Sequence, residues 1–114
     1  MKGSNGVGRS QIQYNQELNV KIETMIFEWN RNKAAKNFAK HQVSFDEAKT
    51  VFQDPLYLDF YDPDHSDSEE RYLIVGRSEQ DKVLIVSYTE RENAIRIISA
   101  RKVTKAERKF YEEG

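Results

Sequence analysis

The chain begins with a Gly/Ser/Asn-rich stretch, MKGSNGVGRS, and a loose alternation of apolar residues at Ile12, Tyr14, Leu18, Val20 and Ile22 that carries no turn signals. Patterning becomes firm near Met25. The run TMIFEW (Thr24 to Trp29) alternates and is rich in β-formers, which predicts a short strand. Asn30 then offers an acceptor side chain to cap a helix, and NRNKAAKNFAKH puts Ala34, Phe38 and His41 on one face, with Ala35 and Ala39 beside them and the lysines opposite. Ser44 with Glu47 three residues later reads as a capping box for a second helix, whose buried stripe is Phe45, Ala48, Val51 and Phe52 and whose stop is Asp54-Pro55.

The second half reads as a meander. LYLDFY (Leu56 to Tyr61) alternates cleanly and is followed by the polar loop DPDHSDSEE; RYLIVGRS, VLIVSYTE and AIRIISAR then form three strands whose short polar connections predict antiparallel pairing. Thr104 and Glu107 make another capping box, opening a terminal helix through KAERKFYEE. The order β-α-α-β-β-β-β-α predicts a small α+β domain over residues 25–114, a mainly antiparallel sheet packed against helices gathered largely on one face. Residues 1–24 read as an extension, either disordered or added by a misassigned start, with Met25 as the alternative first residue.

Composition narrows the chemistry. A chain of 114 residues with 38% hydrophobic and 11% aromatic residues supports one packed core. No apolar run approaches the roughly 18 residues a membrane span needs, and no signal peptide opens the chain, so the expected compartment is the cytoplasm. The absence of Cys excludes a disulfide framework, thiolate catalysis and sulfur-ligated zinc, and two His leave few nitrogen ligands. The net charge of -1 hides a sorting of charges: Asn30 to Val43 holds Arg31, Lys33, Lys36 and Lys40 and no acid, Asp54 to Glu70 holds seven acids and no Lys or Arg, and from Arg71 onward ten basic residues face seven acids. Two basic blocks that bracket an acidic loop are either solvated faces or the walls of a polyanion cleft.

Strand alternation puts Arg71, Leu73, Val75 and Arg77 on one face, and Ile95, Ile97, Ser99 and Arg101 on one face of the last strand. A guanidinium donates in a planar fork that matches phosphate oxygens, and Arg71, Arg77, Arg91, Arg96 and Arg101 accumulate within 31 positions. The bland alternative for each is an exposed strand residue paired with an acid. His41, at the end of the basic helix, is suited to proton exchange, or simply to a helix C-terminus. Asp62, Asp64, Asp67, Glu69 and Glu70 fail the spacing of an EF-hand, because the sixth and twelfth places counted from Asp62 hold Asp67 and Leu73. The acidic loop with His65 therefore reads as solvated or partner-facing. The chain holds no P-loop, GxGxxG, HExxH or GxSxG motif.

Taken in order, FEWN (Phe27 to Asn30), AxxNxxKHxVSFxEAxxVFxDPL (Ala34 to Leu56), DxDHSxxEER (Asp62 to Arg71), the YLIVGRS strand and IRIISARKxTKxERxxYEE (Ile95 to Glu113) resemble the BrnT family of toxins, the toxin halves of BrnT/BrnA toxin-antitoxin pairs. The resemblance spans Met25 to Gly114, and KHxVSFxEA with IISARxxTxxER is its specific combination. It implies a RelE-like fold and a small endoribonuclease that inhibits translation by cutting RNA without a metal or other cofactor. Such cleavage needs a base for the 2′-OH proton, cations for the phosphate charge and an acid for the leaving oxygen. On that reading His41 transfers protons, Arg77 and Arg101 clamp the phosphate with Arg71 and Arg91 in support, and Tyr88 or Glu70 serves as the other proton-transfer group. Lys36, Lys40, Arg96, Lys102 and Lys105 complete the RNA-binding surface. The resemblance further implies a BrnA-like antitoxin with a DNA-binding portion, commonly in an assembly of two toxin and two antitoxin chains. The near-zero net charge argues against strong duplex-DNA binding by this chain alone. Two other readings stand beside it: a non-catalytic binding module that works only in a regulatory complex, and a metal-dependent nuclease using the acidic loop.

Overall fold

Three side chains start the three helices. In the computed structural model, which describes residues 25–114, the Asn30 side chain accepts the Lys33 amide at 3.0 Å and opens helix α1 (Arg31–His41). Ser44 accepts the Glu47 amide at 3.0 Å and opens α2 (Phe45–Ala48), which runs on into a 3₁₀ turn at Lys49–Gln53. Thr104 and Glu107 make a full capping box for α3 (Lys105–Glu113). Only half of the box expected at Ser44 forms, because the Glu47 carboxylate turns into the core, where Ser78 Oγ donates to it at 2.7 Å and Lys82 Nζ approaches at 3.4 Å. The expectation for residues 1–24 lies outside the described residues.

The strands are β1 (Ile26–Glu28), β2 (Leu58–Tyr61), β3 (Tyr72–Arg77), β4 (Val83–Arg91) and β5 (Ala94–Lys102). They form one sheet in the order β1-β5-β4-β3-β2, antiparallel throughout except that β1 runs parallel to β5. The predicted element order is the observed one. The helices, however, do not gather on one face. Val43, Phe45, Ala48, Val51 and Phe52 from the α1–α2 layer bury Ile74, Leu84, Val86 and Ile97, while Tyr111 of α3 covers Val75 and Val83 on the opposite side. The physical reason is in the strands themselves: YLIVGR and VLIVSY carry apolar residues at both parities, so each face needs a cover.

Two details depart from simple periodicity. In α1 the buried residue is Asn37, 8% exposed, whereas Phe38 of the predicted apolar stripe is 53% exposed. The Asn37 amide donates to the Ala100 carbonyl at 2.8 Å and accepts the Ala100 amide at 3.1 Å, and it also donates to the Val43 carbonyl at 3.1 Å. In β5 the register shifts: Ser99 faces Ser87 while Ile97 faces Tyr88, so Ile98 is an extra residue and the alternation reverses across it. Ile95 and Ile97 therefore share the α1 side with Ala100, and Ser99 and Arg101 turn to the α3 side, not to the side of Ile95 and Ile97 as strict alternation predicts.

Asp54 ends the 3₁₀ turn and seals the far edge. One carboxylate oxygen accepts the Leu56 amide at 2.9 Å, and the other accepts the Arg77 amide at 2.7 Å and the Tyr111 hydroxyl. Gly76 makes this approach possible, since a Cβ there would stand 2.9 Å from Val51 Cγ1 and 3.1 Å from Asp54 Oδ2.

The rotated face of α1 generates a stability test. Asn37→Ala leaves the buried Ala100 and Val43 groups without their partner and is expected to lower the unfolding free energy by about 2–4 kcal/mol. Phe38→Ala, at an exposed site, is expected to change it by less than about 0.5 kcal/mol. Urea midpoints of the two variants check both; the reverse order would restore Phe38 to the core.

Candidate functional site

The reversal at Ile98 assembles the arginines. Because Arg101 turns to the α3 side, it joins the face that carries Leu73, Val75 and Arg77 of β3, and Arg96, before the extra residue, faces the same way. Cross-strand register then lays out rows on this face. Val75, Ile85 and Arg101 form one row, and α3 packs along it; Phe60, Leu73, Ser87 and Ser99 form the next; Thr89 and Arg96 form the third, with Arg71 just ahead of β3 at its end. The middle row has small side chains at its β4 and β5 positions, with Ser99 exposed and Ser87 half-buried. It is a shallow floor rimmed by Arg71 and Arg96 on one side and by Arg101 and α3 on the other.

Each guanidinium is held by a carboxylate. Arg71 donates to Glu69 at 3.4 Å and Arg91 donates to the other Glu69 oxygen at 3.2 Å, so one acid bridges two arginines. Arg71 Nε is buried and has no hydrogen-bond partner. Arg96 reaches Glu28 of β1 at 3.3 Å. Arg101 makes a two-point pair with Glu107 at 2.9 and 3.1 Å, and Glu107 also accepts the Thr104 amide at 2.9 Å. The Arg101 fork, and after it the capping bond from Thr104, hold the Glu107 carboxyl down at about 2.

The other expected residues are distributed differently. Arg77 shares the face, paired with Asp81 at 3.1 Å and close to Tyr111. Arg101, with which it was expected to clamp one phosphate, meets the same helix one turn earlier, at Glu107. His41 ends α1, in the layer on the other side of the sheet, and so does not share a face with the arginines it was expected to serve. Tyr88 is 4% exposed and donates to both Asp59 oxygens at 2.9 and 2.8 Å; burial, reinforced by that carboxylate, pushes its hydroxyl far above the usual tyrosine range. It belongs to the core, stacked on Tyr72 and edge-on to Phe52. Glu70 is exposed, accepts the Tyr72 hydroxyl at 3.2 Å, and lines with Glu69, Tyr72, Thr89, Glu90 and Arg91 an open cleft of about 350 Å³ at the end of the sheet. Lys36 and Lys40 are exposed on α1, Lys102 at the end of β5 and Lys105 on α3.

The acidic loop is a folded turn. His65 Nδ1 lies 2.9 Å from Asp62, and Ser66 donates to the Asp62 carbonyl at 2.6 Å while accepting the Arg71 amide at 3.0 Å. Among the described residues no group of three His, Asp or Glu side chains is arranged to hold a metal ion, and no helix is long and apolar enough to cross a membrane. Glu69 and Glu107, which hold Arg71, Arg91 and Arg101, were not among the candidate residues read from the sequence. Their signal was present only as acids near arginines, since the pairings cross from loop to strand and from strand to helix.

Comparison with known proteins decides the family. A family model described as the ribonuclease toxin BrnT of type II toxin-antitoxin systems matches residues 29–107. The chain belongs to the BrnT toxin family. Among solved structures it is similar to the crystal structure of the Brucella abortus ribonuclease toxin BrnT, with a TM-score of 0.54 at 20% identity, over 72% of this chain and 100% of that one. That likeness is one of fold: a small α+β domain with a five-stranded mixed sheet and three helices. No curated relative matches the chain. Membership gives a ribonuclease toxin whose system includes an antitoxin. The BrnT match ends at Glu107, in the first turn of α3.

The Arg101–Glu107 pair generates a pH test. The carboxyl of Glu107 is held below its ordinary 4.5, so its contribution to stability is complete above that value and is lost as pH falls toward about 2. Glu107→Gln keeps the capping geometry but cannot titrate. Denaturation midpoints measured from pH 5 down to about 2 are expected to fall less steeply in this variant than in the parent; parallel slopes would show that the pair carries no such linkage.

Proposed function

We propose that the chain is a metal-independent endoribonuclease toxin that inhibits translation in the cytoplasm by cutting RNA and is neutralised by a BrnA-like antitoxin. The observation that carries this reading is the single face on which Arg71, Arg96 and Arg101 rim a floor of small side chains. In the reaction the 2′ oxygen attacks the adjacent phosphorus, the bond to the 5′ oxygen breaks as that oxygen takes a proton from water, and a 2′,3′-cyclic phosphate and a free 5′-hydroxyl are left. Negative charge gathers on the phosphate oxygens as this happens, and fixed guanidinia stabilise it more in the transition state than in the ground state. Arg71 and Arg101 are the clamp, and Arg96 and Arg91 extend it along the RNA. Lys36, Lys40, Lys102 and Lys105 contribute to long-range attraction.

The carboxylates keep the arginines extended and yield to phosphate. A half-exposed single-point ion pair contributes little, about 0–1 kcal/mol, so exchanging Glu69 for a phosphate oxygen costs little, whereas the two-point Arg101–Glu107 pair is firmer. Glu69, between Arg71 and Arg91, takes the 2′-OH proton. Glu107, held low by Arg101, is a weak base. His41 lies in the other layer and is left outside the reaction. An acidic antitoxin segment competing for the same guanidinia accounts for neutralisation, in an assembly of two toxin and two antitoxin chains, the antitoxin supplying the duplex-DNA contacts.

The test is purified chain, freed of antitoxin, incubated with total RNA in EDTA. New fragments ending in 2′,3′-cyclic phosphate are expected, reduced at least about 100-fold in rate by Arg101→Ala or Glu69→Gln and unaffected by His41→Ala. Loss of cleavage in a folded His41→Ala variant would return proton transfer to the α1 layer. Intact RNA with the folded parent protein would assign the arginine face to binding alone, and activity only with added divalent metal would assign the chemistry to a metal.

A further inference from the structure

Phe110 is the unexplained residue of α3. The neighbouring Tyr111 anchors the helix, buried against Val75 and Val83 with its hydroxyl on Asp54, whereas Phe110 is 55% exposed on a helix whose other side chains are mostly charged. Its ring lies 5.8 Å from that of Phe60, tilted by 37°. Phe60 pairs across the strands with Leu73 and stands at the β2 end of the row that continues through Ser87 to Ser99. An apolar aromatic pair thus opens onto the arginine-rimmed floor, with Arg71 two residues before Leu73, just ahead of β3.

We propose that Phe110 and Phe60 form a base-stacking platform, which makes single-stranded RNA the substrate class of this face; the proposal rests on the ribonuclease reading above. Proteins that bind single strands combine a basic track for the backbone with aromatic rings for successive bases, because every base offers a π face once it is unstacked. The row supplies both elements in line. Four strands wide, it spans roughly 14 Å between the aromatic end and the Arg96–Arg101 end. Ser87 and Ser99 keep the floor low between them, so a strand lying along it brings phosphates to the arginines while one base covers the Phe110 ring. A duplex keeps its base faces in the helical stack and cannot use the ring. A protein partner is the poorer fit, since seating it on the aromatic pair brings the flanking Arg71 guanidinium, with its unpartnered Nε, under an apolar contact.

The test measures binding by the full chain of a short single-stranded RNA methylated at its 2′ oxygens, which blocks cleavage, and of the same RNA annealed to its complement. The parent is expected to prefer the single strand. Phe110→Ala and Phe110→Leu, the latter keeping apolar area, are expected to weaken that binding about tenfold, and Phe110→Trp to retain it. None of the three removes a charge, so the salt dependence stays as in the parent, whereas Arg101→Ala makes it shallower. Parental affinity in Phe110→Leu, equal affinity for the duplex, or a Phe110→Ala variant that binds RNA normally but has lost the antitoxin would each overturn the proposal, the last by assigning the aromatic pair to a protein. If Arg71 and Arg101 variants weaken binding and Phe110 variants do not, the stacking fails and the ribonuclease reading stands. If the folded parent binds no RNA at all, both fall.

Discussion

A side-chain amide finishes this sheet where its first strand stops. The β1 strand pairs with β5 only from Ile26 to Glu28, which leaves the outer edge of β5 bare at Ala100, a residue 1% exposed. Asn37 supplies one donor and one acceptor to that edge, the pattern a neighbouring strand would have offered, and ties the Val43 carbonyl with its second hydrogen. The three bonds fix α1 against β5 and set where the chain turns into α2. From that turn follow the positions of Phe45, Ala48, Val51 and Phe52, and so the larger core. Asp54 does the equivalent work at the other side, taking the Arg77 amide where β2 no longer reaches. A sheet with a three-residue and a four-residue strand at its edges holds because polar side chains complete what the strands leave open.

The same reliance on single residues shapes the arginine face. Were Ile98 an ordinary paired residue of the strand, Arg101 would point into the α1 layer, where a guanidinium has no place among Leu84 and Val86. With it, β5 contributes apolar side chains to the core before Ile98 and a cation to the opposite face after it. The ion pairs on that face are partly solvated, so they orient the arginines without locking them.

Much of this was legible in the sequence. The caps at Asn30, Ser44 and Thr104, the strand alternations and the short turns led to the observed element order, and motif patterns from Phe27 to Glu113 led to the family. The failures have particular causes. Helical periodicity scores side chains as apolar or polar, so it chose Phe38 over Asn37, whose burial depends on a backbone edge sixty-three residues away in sequence. The doublet Ile97-Ile98 was the one trace of the register shift, and a doublet alone does not say which residue is extra. Tyr88 is a different case: its alternation with Leu84 and Val86 puts it in the core, whereas the Asp59 carboxylate that takes its hydroxyl comes from a strand 29 residues away and leaves no mark in that parity. The apolar residues at both parities of β3 and β4 were likewise visible, and they required the second helical cover that the expected one-sided packing left out.

The terminal helix then decides what the arginines can do together. It must lie over Val75 and Val83, because no other described element covers them, and Tyr111 reaching Asp54 fixes its far end. Its near end is fixed by the Thr104–Glu107 box and by Arg101. A helix held at both ends in this way meets Arg101 at Glu107 and Arg77 at Tyr111, one turn apart. The helix thus covers the smaller core and at the same time flanks the face that carries Arg96 and Arg101. Packing of the second apolar layer, a matter of stability, thereby also fixes the carboxylate that holds Arg101 in place.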